Sequence, residues 1–572
     1  MQNPKESIEK NLSVYLEGKD IKLKFDVSLT QNPLFGDFTT NIALILSKEI
    51  EGENSRLTAD KIIVFLKENN ELKEMFEDIK PAGPGFINFY LNKDYLAKTL
   101  TEVVQQGEAY GKSNNNSRQR VMVEFGDPNP FKEIHIGHLR NFCIGESFSR
   151  LLETQGNEVL RANYQGDVGM HVAKALYGIK KQELRIKDEN LSLEEKSKML
   201  AQAYAYGATE YENNENAKQE ILELNRKVYS DDSDIKQLWE EGRKISLDHF
   251  ESIYKRAGMH YDKYYFESVT AKKGKELVLS HIEDGIFERH EGAVVYRGEQ
   301  DGLHTRVFLT SQDYATYEGK DLALAIIKND DVGYDQSIVL TGNEQLEYFA
   351  VMLSALKKIS PELSEKTKHF TFGHVRLREG KMSSRTGDVI TATWLLDEAI
   401  KRVGQAFSDM DQETLEKVGV GAVKYSMLKF SIPSDIHFDF EESISIEGNS
   451  GPYLQYTYVR TQSVLEKFKI TNLEFEMNSL KIENLKLQIE EMELLRFLAQ
   501  YPYCVKMATD TFSPNLLCNY LFELSQKYNL FYQKCRVIGS ENESFRLSLT
   551  KGVGIVIKNG LTLLGIETVE KM

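Results

Sequence analysis

Cysteine is scarce: Cys143, Cys504, Cys518 and Cys535 are the only four in 572 residues, and none has the paired C-x-x-C spacing of a zinc site. So few thiols exclude a disulfide framework and fit a reducing compartment. No apolar run approaches the roughly 18 uninterrupted residues of a membrane span. The opening stretch MQNPKESIEKNLSVYLEGKD carries charges throughout and has no apolar h-region. A cytoplasmic protein without membrane association is expected. Basic residues are outnumbered, 71 against 87, for a net charge of −16. That excludes wholesale coating by nucleic acid, while leaving room for local basic grooves. A chain of this length exceeds one hydrophobic core and suggests roughly three or four domains.

Residues 1 to 110 mix helical patterns with one strand-like run, GFINFYL (85–91), after the breaker cluster KPAGP. They read as a small α/β domain. The polar, turn-rich GKSNNNSRQR (111–120) follows, so 111–119 reads as a linker. Here GEAYGKS (107–113) mimics a phosphate-binding P-loop, but three residues separate its glycines instead of four and no apolar strand precedes it. Next come a β-rich run, VMVEF (121–125), a helical pattern with Ile144, Phe148, Leu151 and Leu152 on one face, a closing Gly156, and a second strand, EVLRANY (158–164). That is a βαβ unit, the building block of a Rossmann-type, doubly wound parallel sheet. This domain is expected over 120–445, with a charged helical insertion at about 175–290, further strands at AVVYRG (293–298), RVFLT (306–310) and SIVLTG (337–342), and a separate region at about 390–445. From 446 to 572 nearly everything reads as an all-α bundle, entered at Pro452, with Leu454, Tyr458, Leu465 and Phe468 on one face.

Between the first strand and its helix lies DPNPFKEIHIGHLRN (127–141). Pro128 and Pro130 stiffen the loop and hold Asn129 in place. His135 and His138 flank Gly137 at the helix entry, where unpaired backbone N–H groups and the positive end of the dipole favour an anion. Gly137 leaves space for a base or ribose. An H-x-x-H pair also suits a metal, yet no cysteine or third histidine lies near it in sequence. Far downstream, GHVRLREGKMSSRTGDVI (373–390) places Lys381 and Arg385 in a polar loop with Gly380, Ser383, Ser384 and Gly387, suited to closing over a triphosphate.

The two segments resemble the HIGH and KMSKS motifs of class I aminoacyl-tRNA synthetases. VEFGDPNPFKEIHIGHLRN, NYQGDVGMH (163–171), YEGKDLALA (317–325), GKMSSRTGD and EGNSGPYLQYTYVR narrow the resemblance to arginyl-tRNA synthetase. GDFTTNIALILSKEI (36–50) and AGPGFINFYL are similar to that family's N-terminal domain. Two other readings remain: a HIGH-superfamily nucleotidyltransferase acting on another small acid, and a non-catalytic tRNA-binding paralogue.

The resemblance implies an ATP-dependent arginine–tRNA ligase whose partners are tRNA(Arg), L-arginine and ATP, with magnesium accompanying ATP and no dedicated metal site in the protein. A monomer is expected. His135, His138, Lys132 and Lys381 become the catalytic set, and Gly137, Met382, Ser383, Ser384 and Arg385 join them at ATP. Glu124 and Asn129 would hold the α-amino end of arginine, Tyr317 and Asp321 the guanidinium, with Gln345 beside them. Ser384 stands where the wider class carries a second lysine, and Lys132 would replace that charge from the opposite wall. Lys320, Asp388 and His171 also depart from the family's usual residues. The domain at 120–445 would be the catalytic one, with its region at about 390–445 contacting the tRNA stem; the N-terminal domain would meet the tRNA elbow through Asn92 and Tyr95, and the bundle the anticodon through Tyr453, Gln455, Tyr456 and Tyr458. Each of these aromatics and amides has an alternative as core or domain interface.

Overall fold

The computed structural model describes residues 3–30, 33–49, 54–113, 118–378, 390–407, 409–468 and 485–572. A five-stranded parallel sheet organises the middle of the chain, in the order Thr367–Phe372, Gln336–Gly342, Arg120–Glu124, Glu158–Gln165, Lys263–Phe266. Val121, Met122, Val123 and Ile338 are fully or almost fully buried, as expected where helices cover both faces of a sheet. The strand order reverses between Arg120–Glu124 and Gln336–Gly342. A crevice opens at such a switch point, outside the carboxyl ends of the strands.

The helix after the first strand, Ile136–Thr154, packs unusually close to the sheet. A Cβ at Gly145 would meet the Phe125 ring at 2.1 Å, so only glycine permits the approach. Ile144, Phe148, Leu151 and Leu152 are buried on this helix, and Gly156 ends it at φ +89. Its far half carries an ion network. Arg161 meets Glu146 at 2.8 Å and Glu153 at 2.6 Å, and Arg150 meets Glu146 at 2.7 Å.

Several expectations are corrected. Strand Lys263–Phe266 falls inside the expected insertion of about 175–290, yet it forms the edge of the parallel sheet. Four residues are too few for a clear alternation pattern. AVVYRG and RVFLT do not return to that sheet; Ala293–Tyr296 and Arg306–Leu309 join Glu288–His290 in a separate antiparallel sheet. The N-terminal domain holds four strands, not one, with Val27–Leu29, Phe38–Thr40, Phe86–Leu91 and Phe76–Ala82 paired antiparallel in that order. The P-loop mimic follows helix Lys93–Gln106, so no strand feeds it.

The long C-terminal helices Gly451–Lys467, Ile489–Asp510, Pro514–Lys534 and Glu543–Leu563 form the expected bundle. Both other domains lean on it. Tyr110 Oη donates to the Leu498 carbonyl at 2.8 Å, Arg496 lies 3.4 Å from Asp37, and the Phe38 and Tyr503 rings meet edge to face. One apolar core runs from Ile8 in the N-terminal domain through Phe148 to Leu561. Gly145→Ala is expected to cost about 1–3 kcal/mol through overpacking against Phe125, read as a fall in the urea midpoint at unchanged slope.

Candidate active site

At the head of Ile136–Thr154 the two histidines cap the helix themselves. His135 Nδ1 accepts from the backbone N–H groups of Gly137 (3.1 Å) and His138 (3.3 Å), and His138 Nδ1 accepts from the His135 N–H at 3.2 Å. The Ile136 N–H donates to the Ile390 carbonyl at 3.0 Å. The expected bare N–H groups are therefore all engaged. Any anion here is met by imidazole instead of backbone.

This geometry fixes the tautomer. An Nδ1 that accepts carries no proton, so each neutral ring keeps its proton on Nε2 and presents one N–H donor. Burial, then the nearby Lys132 charge, lowers the proton affinity of His135; burial, His135 and Lys132 push that of His138 well down. The rings stack with centroids 3.7 Å apart, which two imidazolium cations would resist. Lys132 sits in a loop held by Asp127 (φ 48) and Phe131 (φ 67) in left-handed conformations. His171, also buried and held to about 3, hydrogen-bonds the Gly166 carbonyl at 2.8 Å.

Lys381, Met382, Ser383, Ser384 and Arg385, with Asp388, lie outside the described residues. Their flanks do not. His135 bridges Thr391, and the Ala392 N–H donates to the Ile134 carbonyl at 2.8 Å. On the other flank the buried Arg140 donates to the carbonyls of Gly373 and Ile432. Both ends of the downstream segment are thus anchored to the histidine helix.

A second, acidic wall lies across the switch point. Glu124 accepts from the buried Lys328 Nζ at 2.6 Å. Asp321, 8% exposed, accepts from Tyr348 Oη at 2.7 Å. Burial first, then the Glu124 and Glu267 charges, raise its carboxyl to about 8, against the pull of the Tyr348 hydrogen bond. Asp127 is likewise driven well up by burial and by Glu124, though it accepts from the Tyr164 N–H at 2.7 Å. Glu267 meets Lys320 at 2.6 Å. Asn129 packs over Gly166, where a Cβ would sit 2.2 Å from its Oδ1, and Gln345 lies 3.5 Å from the Tyr348 hydroxyl.

Tyr317 and Asp321 were expected to face one ligand together. Tyr317 opens the helix Tyr317–Val332 and is 63% exposed, a ring at the mouth near Lys320 Nζ (5.4 Å). The phenol on Asp321 belongs to Tyr348, which sequence reasoning missed. Its signal was the i+3 spacing from Gln345, and that of Lys328 the i+7 spacing from Asp321.

The expected tRNA residues divide. Asn92 caps helix Lys93–Gln106 by accepting from the Tyr95 N–H at 2.7 Å, and the Tyr95 ring is buried. Gln455 is fully buried and donates to the Glu567 carbonyl at 2.7 Å, while the buried Tyr453 accepts from Asn529 at 2.9 Å. In this structure these four serve packing and capping. Tyr458 is half-buried against the main core. Tyr456 is different: the Arg460 guanidinium lies 4.8 Å from its ring and 5.3 Å from that of the exposed Tyr532.

Three family profiles match the chain in order. The arginyl-tRNA synthetase N-terminal domain matches residues 2–91, the class I (R) tRNA synthetase catalytic domain 99–440, and the DALR anticodon-binding domain 454–572. The chain belongs to the arginyl-tRNA synthetase family. It is 32% identical to the arginine–tRNA ligase of Fusobacterium nucleatum, across 99% of this chain and 98% of that one. To that of Treponema denticola it is 31% identical, across 96% and 95%. The arginyl-tRNA synthetase of Thermus thermophilus shares the fold at a TM-score of 0.82, with 22% identity over 99% of this chain and all of that one.

Asparagine is a good helix cap but lacks the Nε2 donor. His135→Asn is expected to keep the melting temperature near wild type while slowing arginine activation by about a hundredfold or more. His135→Ala should also lose about 0.5–2 kcal/mol of stability with the cap. Thermal melts run beside pyrophosphate exchange separate the two effects.

Proposed function

We propose that this synthetase joins arginine to tRNA(Arg) in two steps at the switch-point crevice. Arginine first reacts with ATP to give the adenylate and pyrophosphate. The arginyl group then passes to the terminal ribose of the tRNA. What supports this reading above all is the acid-rich cluster at the switch point. Of its four carboxyls, Glu267 and Glu124 are paired with the buried Lys320 and Lys328, and Asp127 and Asp321 are left without an ammonium ion pair of their own among the described residues, a setting that suits a substrate with two cationic groups.

In this proposal Asp321, steadied by Tyr348, pairs with the guanidinium in the planar geometry that group favours. Tyr317 covers it from the mouth, and Gln345 lies beside it. Glu124 and Asn129 take the α-amino end, Glu124 sharing its charge with Lys328. His135 and His138 donate Nε2–H to phosphate oxygens, Gly137 lies against the adenosine, and Lys132 stabilises the charge that builds as pyrophosphate leaves. Lys381, Met382, Ser383, Ser384 and Arg385, outside the described residues, join them at the ATP phosphates in this reading. Magnesium rides on the ATP phosphates.

For the tRNA, the N-terminal domain (1–110) meets the elbow and the bundle (446–572) the anticodon, where the Tyr456–Arg460–Tyr532 stack offers a surface for unpaired bases. Tyr453 supports that surface from beneath through Asn529, which also accepts from Arg460, and Tyr458 borders it; Gln455 ties the same helix to the Glu567 carbonyl, while Asn92 and Tyr95 fix the helix that the N-terminal domain brings to the elbow. A cleft of about 620 Å3 beside the arginine pocket, lined by Lys227, Lys236, Lys272 and Lys273 among others, suits the acceptor end. The enzyme works as a cytoplasmic monomer.

Incubation with ATP, tRNA and arginine should yield arginyl-tRNA, with lysine and ornithine inactive; charging of lysine, or none at all, refutes the assignment. Lys132→Ala should depress adenylate formation far more than Arg385→Ala. Arginine must meet Asp321 as carboxylate, so affinity should weaken as pH falls below about 8, with proton release on binding at pH 7. Calorimetry in two buffers of different ionisation heat reads that proton. The same carboxyl, raised above its unfolded value, costs stability as pH rises from about 4 through 8. Asp321→Asn should therefore melt higher at alkaline pH while losing arginine binding.

A further inference from the structure

The insertion helix Leu193–Asn213 lies outside the parallel sheet, yet one of its side chains reaches the loop after the first strand. The Lys132 ammonium lies 4.7 Å from the centroid of the Tyr204 ring. A cation over an aromatic face is attracted by the ring quadrupole, more strongly where both are partly withdrawn from water. Both residues are half-buried.

The ring is rigidly placed. A Cβ at Gly207 would stand 2.0 Å from the Lys174 carbonyl, and one at Gly178 2.1 Å from that of Ala203. Helices Met170–Lys181 and Leu193–Asn213 therefore touch backbone to backbone, with Leu200 and Ala203 buried between them. The backbone of the lysine is equally fixed. Its N–H donates to the Asn129 carbonyl at 3.3 Å. The neighbouring Phe131 N–H donates to Ser246 Oγ at 2.9 Å, and its buried ring fills the space above Gly242, where a Cβ would meet it at 2.2 Å. The freedom left lies in the lysine stem, whose end rests on Tyr204.

We propose that Tyr204 is a positioning residue for adenylate formation, its ring face holding the Lys132 ammonium at the phosphate wall beside His135 and His138. The inference rests on the phosphate role proposed for Lys132. A lysine ordered before ATP arrives need not be ordered during the reaction, which lowers the barrier without tightening arginine binding. The insertion then contributes to catalysis through a single cation–π contact.

Tyr204→Leu removes the ring face at comparable bulk, and Tyr204→Phe keeps the face without the hydroxyl. Turnover in pyrophosphate exchange, run with tRNA present, should fall about three- to thirtyfold in Tyr204→Leu. The KM for arginine should stay unchanged, and Tyr204→Phe should match wild type. In a Lys132→Met background Tyr204→Leu should cost nothing further. Thermal melts confirm folding, and Tyr204→Met substitutes if the leucine variant misfolds. Wild-type or faster turnover in Tyr204→Leu, an equal loss in Tyr204→Phe, or an undiminished loss in the Lys132→Met background overturns the proposal. Normal turnover by Lys132→Met overturns both this and the role of Lys132; normal turnover by Tyr204→Leu beside a crippled Lys132→Met overturns the Tyr204 proposal alone.

Discussion

Two neutral imidazoles closing the first turn of one helix constrain the rest of the site. His135 and His138 can accept backbone N–H groups through Nδ1 only while unprotonated there, and burial together with the Lys132 charge keeps them so. The cap and the donor orientation are then one property. Protonation at Nδ1 would open the helix start and turn the rings at once. The histidines supply aimed dipoles; Lys132 supplies charge.

The opposite wall obeys the reverse logic. Buried carboxyls cost free energy, and Asp321 meets that cost by holding its proton. Lys328 and Lys320 offset part of it for Glu124 and Glu267. A cation brought beside Asp321 would favour its ionised form. The sheet reverses between the strands that carry Glu124 and lead to Gln345, so the acidic group and the histidine turn both belong to elements that meet at the carboxyl ends of the strands, where a crevice opens.

Much of this was legible in the sequence because its signals are local. The βαβ unit showed in short apolar runs and a helical face, and His135, His138 and Asp321 stood in contiguous blocks. What escaped depends on folding. No spacing rule says that histidine side chains consume the N–H groups of their own helix, or that Lys328 reaches back 204 residues to Glu124. Strands of three or four residues, such as Val27–Leu29 and Lys263–Phe266, are too short for periodicity to mark. The i+4 spacing pairs Tyr317 with Asp321, but it does not say which phenol bonds the carboxyl: Tyr317 opens its helix partly exposed beside Lys320, and the bond comes from Tyr348. The bundle tyrosines divided by burial, which composition does not encode.

The far end of the histidine helix carries a separate implication. Ser147 and Arg150 donate to the carbonyls of Leu563 and Thr562 at 3.1 and 3.0 Å, more than 400 residues downstream. Those carbonyls belong to the last turn of a helix, where the chain leaves backbone acceptors open to side chains from elsewhere. The histidine helix thus has two anchors: Arg140 near its start ties it to the sheet side, and Ser147 and Arg150 in its far half tie it to the bundle. A shift of the bundle's last helix therefore pulls on the same rigid rod that carries His135 and His138.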